Sequence, residues 1–308
     1  MKKAKTAIGI DLGGTNIKGV LMRESGEILD CVSRDTYIKE ADRVDVQHWK
    51  KEIVGIIQQF QSGNGTIQGI GMAAPGLTDH SNQSIAHMPG RLKGLENLEW
   101  NRLLDHPGVR VLNDAHAALI AESRVGIGKG IRNQLMVTLG TGVGGAILVD
   151  GKLYQGFLQR AGHLGHMSLN SEGQPGILNI PGSLEEAFGN ASVSKRTFGK
   201  FATVHSLVDG YKAGDTIAGF FWLGAVNKLA LALCSLINIV SPELIILGGG
   251  ITKAKEALTE PLDHFMTLYE WRPGGLSCPV RLSEFNEFSG AVGAALFSLN
   301  HEEHVCIE

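Results

Sequence analysis

The chain opens on an alternation. Ile8, Ile10 and Leu12 are apolar at every second position from Thr6 to Leu12, the period of a half-buried strand. The pattern breaks at Gly13-Gly14-Thr15-Asn16 and resumes as Ile17-Lys18-Gly19-Val20-Leu21-Met22. A strand, a glycine turn and a second strand are therefore expected, with a third strand over Ile28 to Thr36 completing a meander. A helix is expected near Val46 to Phe60, because Ile53, Ile56, Ile57 and Phe60 recur at helical spacing. Ile67 to Ala73 reads as a short buried strand ending in Pro75-Gly76. Val109 to Leu112 reads as another, leading into a helix over Ala115 to Gly126.

The pattern then starts again. Gln134 to Leu139 is a strand, Gly140-Thr141-Gly142-Val143-Gly144-Gly145 a turn, and Ala146 to Val149 a second strand. Two Gly/Thr hairpins in equivalent places suggest a duplicated unit. Ala218 to Val240 reads as a long buried helix, Leu244 to Leu247 as a strand ending in Gly248-Gly249-Gly250, and Gly290 to Leu299 as a last helix. No low-complexity linker separates the halves, so the two domains are expected to pack around a cleft.

Composition narrows the class. At roughly 150 residues per domain, 308 residues make about two domains. With 43% hydrophobic and 19% charged residues, disorder, collagen and coiled coil are excluded. The net charge of −3, from 28 Lys+Arg and 31 Asp+Glu, lacks the basic footprint of a nucleic-acid partner. Glycine is the outlier: 41 residues, about twice the usual share, without a collagen period, mean many tight turns or close approaches. Cys31, Cys234, Cys278 and Cys306 lie far apart with no CxxC pair, so neither a disulfide framework nor a cysteine-built zinc site is expected. The apolar stretch after Met1-Lys2-Lys3-Ala4-Lys5 is too short for a signal peptide, and no run approaches the roughly 18 apolar residues of a membrane span. A cytoplasmic protein is expected.

Gly140-x-Gly142-x-x-Gly145 matches the dinucleotide fingerprint in letters, yet a strand follows where that motif needs a helix. Gly128-Lys129 is followed by Gly130 and fails the Walker pattern. The two hairpins are either plain tight turns or cradles whose backbone N–H groups, with Thr15 and Thr141, hold phosphates. Asp11 beside the first is a candidate Mg²⁺ partner. Asn113-Asp114 follows a strand and starts a helix, which suits an N-cap. It equally suits a carboxylate at the carboxyl end of an α/β strand that accepts a hydroxyl proton, and the two readings are compatible. His163 and His166 in Ala161-Gly162-His163-Leu164-Gly165-His166 could ligate a metal, shape a turn or hydrogen-bond a substrate.

Together these segments resemble the ROK family of sugar kinases and repressors, in the actin-like, ribonuclease-H-like ATPase superfamily. The resemblance runs through Asp11–Lys18, Gly71–Gly76, Asn113–Ala118, Leu139–Gly145, Gly162–His166, Leu184-Glu185, Leu247–Gly250 and Gly290–Ala295. It implies an α/β fold of two actin-like domains, 1–117 with 290–308 returning to it and 118–289, and a homodimer. It also implies ATP- and Mg²⁺-dependent phosphorylation of glucose or a related hexose, or of an N-acetylhexosamine. Asp114 would be the base, and Asn113, His163, His166, Glu185 and Gly76 would line the sugar. Gly13, Gly14, Thr15, Lys18, Thr141, Gly142, Gly248, Gly249 and Gly250 would hold the nucleotide, and Asp11 the Mg²⁺, through water.

Two positions depart from the family pattern. Where relatives commonly carry three zinc-binding cysteines, this chain has Gly176, Leu178 and Ser183, so no structural zinc is expected. Packing of Ile177, Leu178 and Ile180 is the expected substitute. His163 stands where a sugar-binding glutamate is usual, and with an ordinary pKa near 6.5 it would make sugar affinity change between about pH 5.5 and 7.5. A repressor would need a DNA-binding module, and only ten residues precede Asp11. A non-catalytic sugar or nucleotide binder is the other alternative.

Overall fold

The computed structural model describes residues 5–37, 48–62, 66–88, 92–176 and 178–299. In chain order its strands are β1 (Thr6–Leu12), β2 (Asn16–Arg23), β3 (Ile28–Asp35), β4 (Gly69–Ala74), β5 (Leu77–Thr78), β6 (Ile85–His87), β7 (Arg110–Asn113), β8 (Gln134–Leu139), β9 (Val143–Val149), β10 (Lys152–Tyr154), β11 (Leu244–Gly248) and β12 (Val280–Leu282). The helices are α1 (His48–Gln61), α2 (Trp100–Leu103), α3 (Asp114–Val125), α4 (Leu184–Phe188), α5 (Val193–Arg196), α6 (Val204–Lys212), α7 (Thr216–Val240), α8 (Glu256–Tyr269) and α9 (Ser289–Ser298). Of the helix expected from Val46, residues 46 and 47 lie outside the described residues, as do 300–308 of the returning segment. The chain forms two compact units: Met1–Gly130 with Gly151–Ala161 and Glu284–Glu308, and Ile131–Asp150 with Gly162–Ser283.

The first unit is built on the sheet β3-β2-β1-β4-β7. Its first three strands form the expected antiparallel meander, and β4 and β7 add in parallel. The alternation of β1 sorts its two faces. Ile8, Ile10 and Leu12 pack with Trp49, Ile53, Ile56 and Phe60 of α1, while Ala7 packs with α3 and α9. All ten residues of α9 are buried, as expected of a helix without a polar face. It seats directly on backbone: a Cβ on Gly9 or Gly71 would lie 1.9 Å from the carbonyl oxygen of Ala291 or Ala294. On the other side of the helix, a Cβ on Gly293 would lie 1.7 Å from the Ala117 carbonyl of α3. This packing keeps α3 whole within the first unit, so the chain divides after Gly130 and returns at Glu284, rather than at the expected 117 and 290.

The second unit repeats the plan. Its sheet runs β10-β9-β8-β11-β12, with β8 antiparallel to β9 and parallel to β11, and β12 parallel to β11. Leu135, Val137 and Leu139 of β8 pack with Ile245 and Leu247 of β11, and with Trp222, Val226, Leu229 and Leu233 of α7. The Asp215 carboxylate caps α7 by accepting from the Ile217 and Ala218 N–H groups at 2.8 and 3.1 Å. By length and composition α7 is apolar enough to cross a membrane, which corrects the expectation that no segment is. Here it is the core helix of its unit, one face buried under α8 through Leu258, Leu262 and Met266. α8 lies where the periodicity predicts no element, and it carries Pro261 in its interior, a residue that ordinarily argues against a helix.

Candidate active site

In the first unit, chemistry gathers where β1, β7 and α9 end or begin. Asp11 is half-buried at the end of β1, opposite Lys18 in the antiparallel register. A Cβ on Gly290, in the first turn of α9, would lie 2.7 Å from the Asp11 carboxyl, so only glycine lets that helix start against it. Burial, then the charge of Asp114, push the Asp11 carboxyl up to about 7, with Lys18 opposing. The Lys18 ammonium donates to the Glu287 carbonyl at 2.9 Å and lies 3.6 Å from the Glu287 carboxylate.

Asp114 is the first residue of α3, directly after β7. Asp114 is exposed as a residue, yet burial by the surrounding protein raises its pKa, while hydrogen bonds from Ala115 and Asn113 oppose the rise. The Ala115 N–H donates to Asp114 Oδ1 at 2.8 Å. Asn113 is the N-cap: its Oδ1 also accepts from the Ala115 N–H at 3.0 Å, while its Nδ2 donates to the Gly76 carbonyl at 3.0 Å. The cap half of the sequence reading holds. The same amide fixes the turn at Gly76, which has φ of 111°. The first glycine hairpin is anchored from behind, because the Thr36 N–H donates to the Thr15 carbonyl and its hydroxyl to the Gly13 carbonyl, both at 2.8 Å. Its tip is open, with Gly14 and Thr15 exposed and no atom within 4 Å of a Cβ built on Gly14.

In the second unit, three of the sequence-derived segments converge on the β8–β9 hairpin. Gly249, at φ of 88°, backs onto the Leu139 carbonyl, where a Cβ would come to 2.4 Å. A Cβ on Gly142 would lie 2.0 Å from Glu185 Oε2, and that oxygen accepts from the Val143 N–H at 3.1 Å. A Cβ on Gly165 would lie 2.0 Å from the Val143 carbonyl, and one on Gly145 would strike Leu164 and the Gly162 carbonyl. Glycines thus dock the two-histidine turn and Glu185 onto the hairpin, backbone against backbone. The half-buried His163 and His166 rings stack, 6° from parallel with centroids 6.1 Å apart. Burial, and then His166, lower the His163 pKa to about 4. The ring stays neutral throughout pH 5.5 to 7.5, so the expected titration in that window is corrected: the unperturbed value ignored burial.

The loop with the three replaced cysteines keeps its shape by backbone pairing. Gly176 N–H donates to the Ile180 carbonyl at 3.0 Å, Gly182 N–H to Gln174 at 3.0 Å, and the Ser168 hydroxyl to Pro181 at 2.6 Å. Among the described residues the expected apolar packing is not seen: Leu178 is 50% exposed and Ile180 half-buried, and Ile177 lies outside them. A Cβ on Gly176 would lie 2.9 Å from Ser183 Oγ, so two of the cysteine positions still adjoin without thiolates. Gly290 and its contact with Asp11 escaped the sequence reading as a site feature. Its only signal was the run of small residues Gly290 to Ala295.

The ROK family model matches residues 7–301. A glucokinase of Thermotoga maritima is 29% identical over 307 residues, spanning 94% of this chain and 95% of that protein. An N-acetylmannosamine kinase of Vibrio cholerae is 28% identical over 295 residues, spanning 94% and 97%. The crystal structure of a ROK hexokinase from Thermus thermophilus aligns with a TM-score of 0.80 at 26% identity, covering 95% of this chain and 97% of that one. The shared fold is the expected α/β architecture of two actin-like domains.

Proposed function

The chain belongs to the ROK family, and from that premise and the geometry above we propose that it is an ATP-dependent sugar kinase acting on glucose or a related hexose. The observation that carries the reading is Asp114. It stands at the carboxyl end of a strand and the start of α3, with its pKa raised. A raised pKa makes a carboxylate a better proton acceptor, and general-base catalysis is worth about 10²- to 10⁴-fold. Asp114 takes the proton of a sugar hydroxyl as that oxygen attacks the γ-phosphorus and the bond to the ADP oxygen breaks. Phosphoryl transfer otherwise needs positioning and charge stabilisation.

Positioning falls to the remaining groups. Gly76, held by Asn113, serves the sugar in the first unit, and His163, His166 and Glu185 serve it in the second. A neutral imidazole at His163 carries one donor and one acceptor, where a glutamate would carry acceptors alone. The N–H groups of Gly14 and Thr15, with Lys18, serve phosphate in the first unit, while the expected Gly13 N–H is taken by the Asn16 carbonyl at 3.0 Å and shapes the turn instead. Thr141, Gly142 and Gly248 to Gly250 serve the nucleotide in the second. The donor set of the first unit fits a magnesium ion: the charge of Asp114 raises the Asp11 pKa and Lys18 offsets it only in part. Asp11 would hold that ion, which when bound neutralises phosphate charge.

An N-acetylhexosamine is the second reading, supported by the N-acetylmannosamine kinase relative. The working enzyme is taken to be a cytoplasmic homodimer. Coupled ADP release with a panel of hexoses and N-acetylhexosamines tests the reading, and tight sugar binding without turnover would replace it with a non-catalytic binder.

A further inference from the structure

Arg196, at the end of α5, lies outside every segment that the proposed chemistry uses. Its Nη1 donates to the Gly189 carbonyl and to Ser192 Oγ, both at 2.7 Å. Its Nε and Nη2 are buried and have no hydrogen-bond partner among the described residues. Both acceptors it has found are neutral. Glu186, the carboxylate whose charge it feels, is paired with the Lys195 ammonium at 2.7 Å. Burial lowers the guanidinium pKa to about 10, which leaves it charged at neutral pH.

A buried charge is costly unless it is paired, and each unpaired buried N–H adds a further penalty. The position of this one is informative. Residues 189–191 form a strap over the second glycine hairpin: Asn190 N–H donates to the Gly140 carbonyl and Ala191 N–H to the Thr141 carbonyl, both at 2.9 Å. A Cβ on Gly189 would stand 3.0 Å from the Thr141 carbonyl and 3.2 Å from Gly142 Cα. Arg196 therefore grips the strap from behind, while no atom lies within 4 Å of a Cβ built on Gly140 at the hairpin tip. Among the described residues this cation has no ion-pair partner, and what it grips is the strap that covers the hairpin.

We propose that Arg196 is a positioning residue for the nucleotide: through the Gly189–Ala191 strap it fixes the Gly140–Gly142 hairpin and supplies the positive charge that the polyphosphate of ATP meets there. The inference rests on the kinase reading. Isothermal titration of the full chain with MgATP, and separately with its best sugar substrate, tests it in wild type, Arg196→Met and Arg196→Lys. Arg196→Met should weaken ATP binding by about tenfold or more, with sugar affinity within twofold and the ATP KM rising in parallel. Arg196→Lys, which keeps the charge, should recover most of that loss. Arg196→Met binding ATP as wild type does, a lysine variant as weak as the methionine one, or an equal loss for sugar would each overturn the proposal. Wild type that binds no ATP would overturn the kinase reading with it.

Discussion

The two glycine hairpins are spelled alike and are built differently. The first, between β1 and β2, is open at its tip and surrounded by charge: Asp11 beside it, Lys18 across from it and Asp114 near enough to raise the Asp11 pKa. The second, between β8 and β9, is packed from behind by Glu185, Leu164, Gly165 and Gly249, and the ring nearest in sequence logic, His163, is held neutral. One motif thus has its charged groups beside the hairpin in the first unit, and in the second it is packed by glycine contacts with the charge of Arg196 set behind the strap. Removing charge should do most damage in the first, and adding a methyl group in the second.

The largest effect is expected at the electrostatic end. Asp114→Asn keeps the size and one acceptor oxygen, so sugar affinity should stay within a few fold while kcat falls by about 10²- to 10⁴-fold. A variant retaining more than about a tenth of wild-type kcat would show that the base lies elsewhere.

Next comes the packing template. Gly142→Ala puts a Cβ 2.0 Å from Glu185 Oε2, and the flexible carboxylate can move aside at the cost of its bond from the Val143 N–H. That bond is worth about 1 kcal/mol, a shift of roughly 2–4 °C in Tm. The displaced Glu185 should raise the sugar KM by about tenfold, as should Glu185→Gln. Gly140→Ala meets open space and should melt like wild type. Equal sugar KM values in wild type and Gly142→Ala would separate Glu185 from recognition.

His163 predicts a smaller, pH-dependent effect. Its folded pKa of about 4 lies below the ordinary 6.5, so the unfolded chain binds the extra proton. Its contribution to stability is complete above pH 6.5 and is lost as pH falls toward 4. Urea melts should show that loss in wild type and less of it in His163→Gln, while the sugar KM stays flat in its His163-dependent part from pH 5.5 to 7.5. A His163-dependent step inside that window would mean that the ring is solvated. His163→Glu should also reorder the sugar preference, and an unchanged ranking would take His163 out of recognition.

The smallest expected effect is none. Gly176, Leu178 and Ser183 supply no thiolate, so a zinc chelator should leave Tm unchanged, and elemental analysis should find no stoichiometric zinc. One zinc per chain would contradict this.

What the sequence made legible is what local periodicity writes. The β1–β2 and β8–β9 hairpins, α1, α3, α7 and the duplicated order follow from spacings of two and 3.6 residues and from glycine turns. What it hid depends on contacts between distant positions. Nothing near Gly9 or Gly71 announces that a helix some 220 residues or more further on will rest on their α-carbons, or that Gly290 will meet Asp11. The support of the cysteine-replaced loop is hidden for the same reason, since carbonyls and N–H groups that pair across it leave no mark in residue type. Burial of His163 is likewise a property of its surroundings, and Arg196 reads in sequence as one more surface arginine.

The central claim is phosphoryl transfer to a sugar hydroxyl. It is tested most directly by incubating the purified chain with MgATP and a panel of hexoses and N-acetylhexosamines, and following ADP and the phosphorylated sugar together. The account predicts stoichiometric sugar phosphate and ADP for at least one panel member, with ADP release falling to background when the sugar is omitted. ADP release that ignores the sugar, or sugar binding with no phosphorylated product anywhere in the panel, would contradict it.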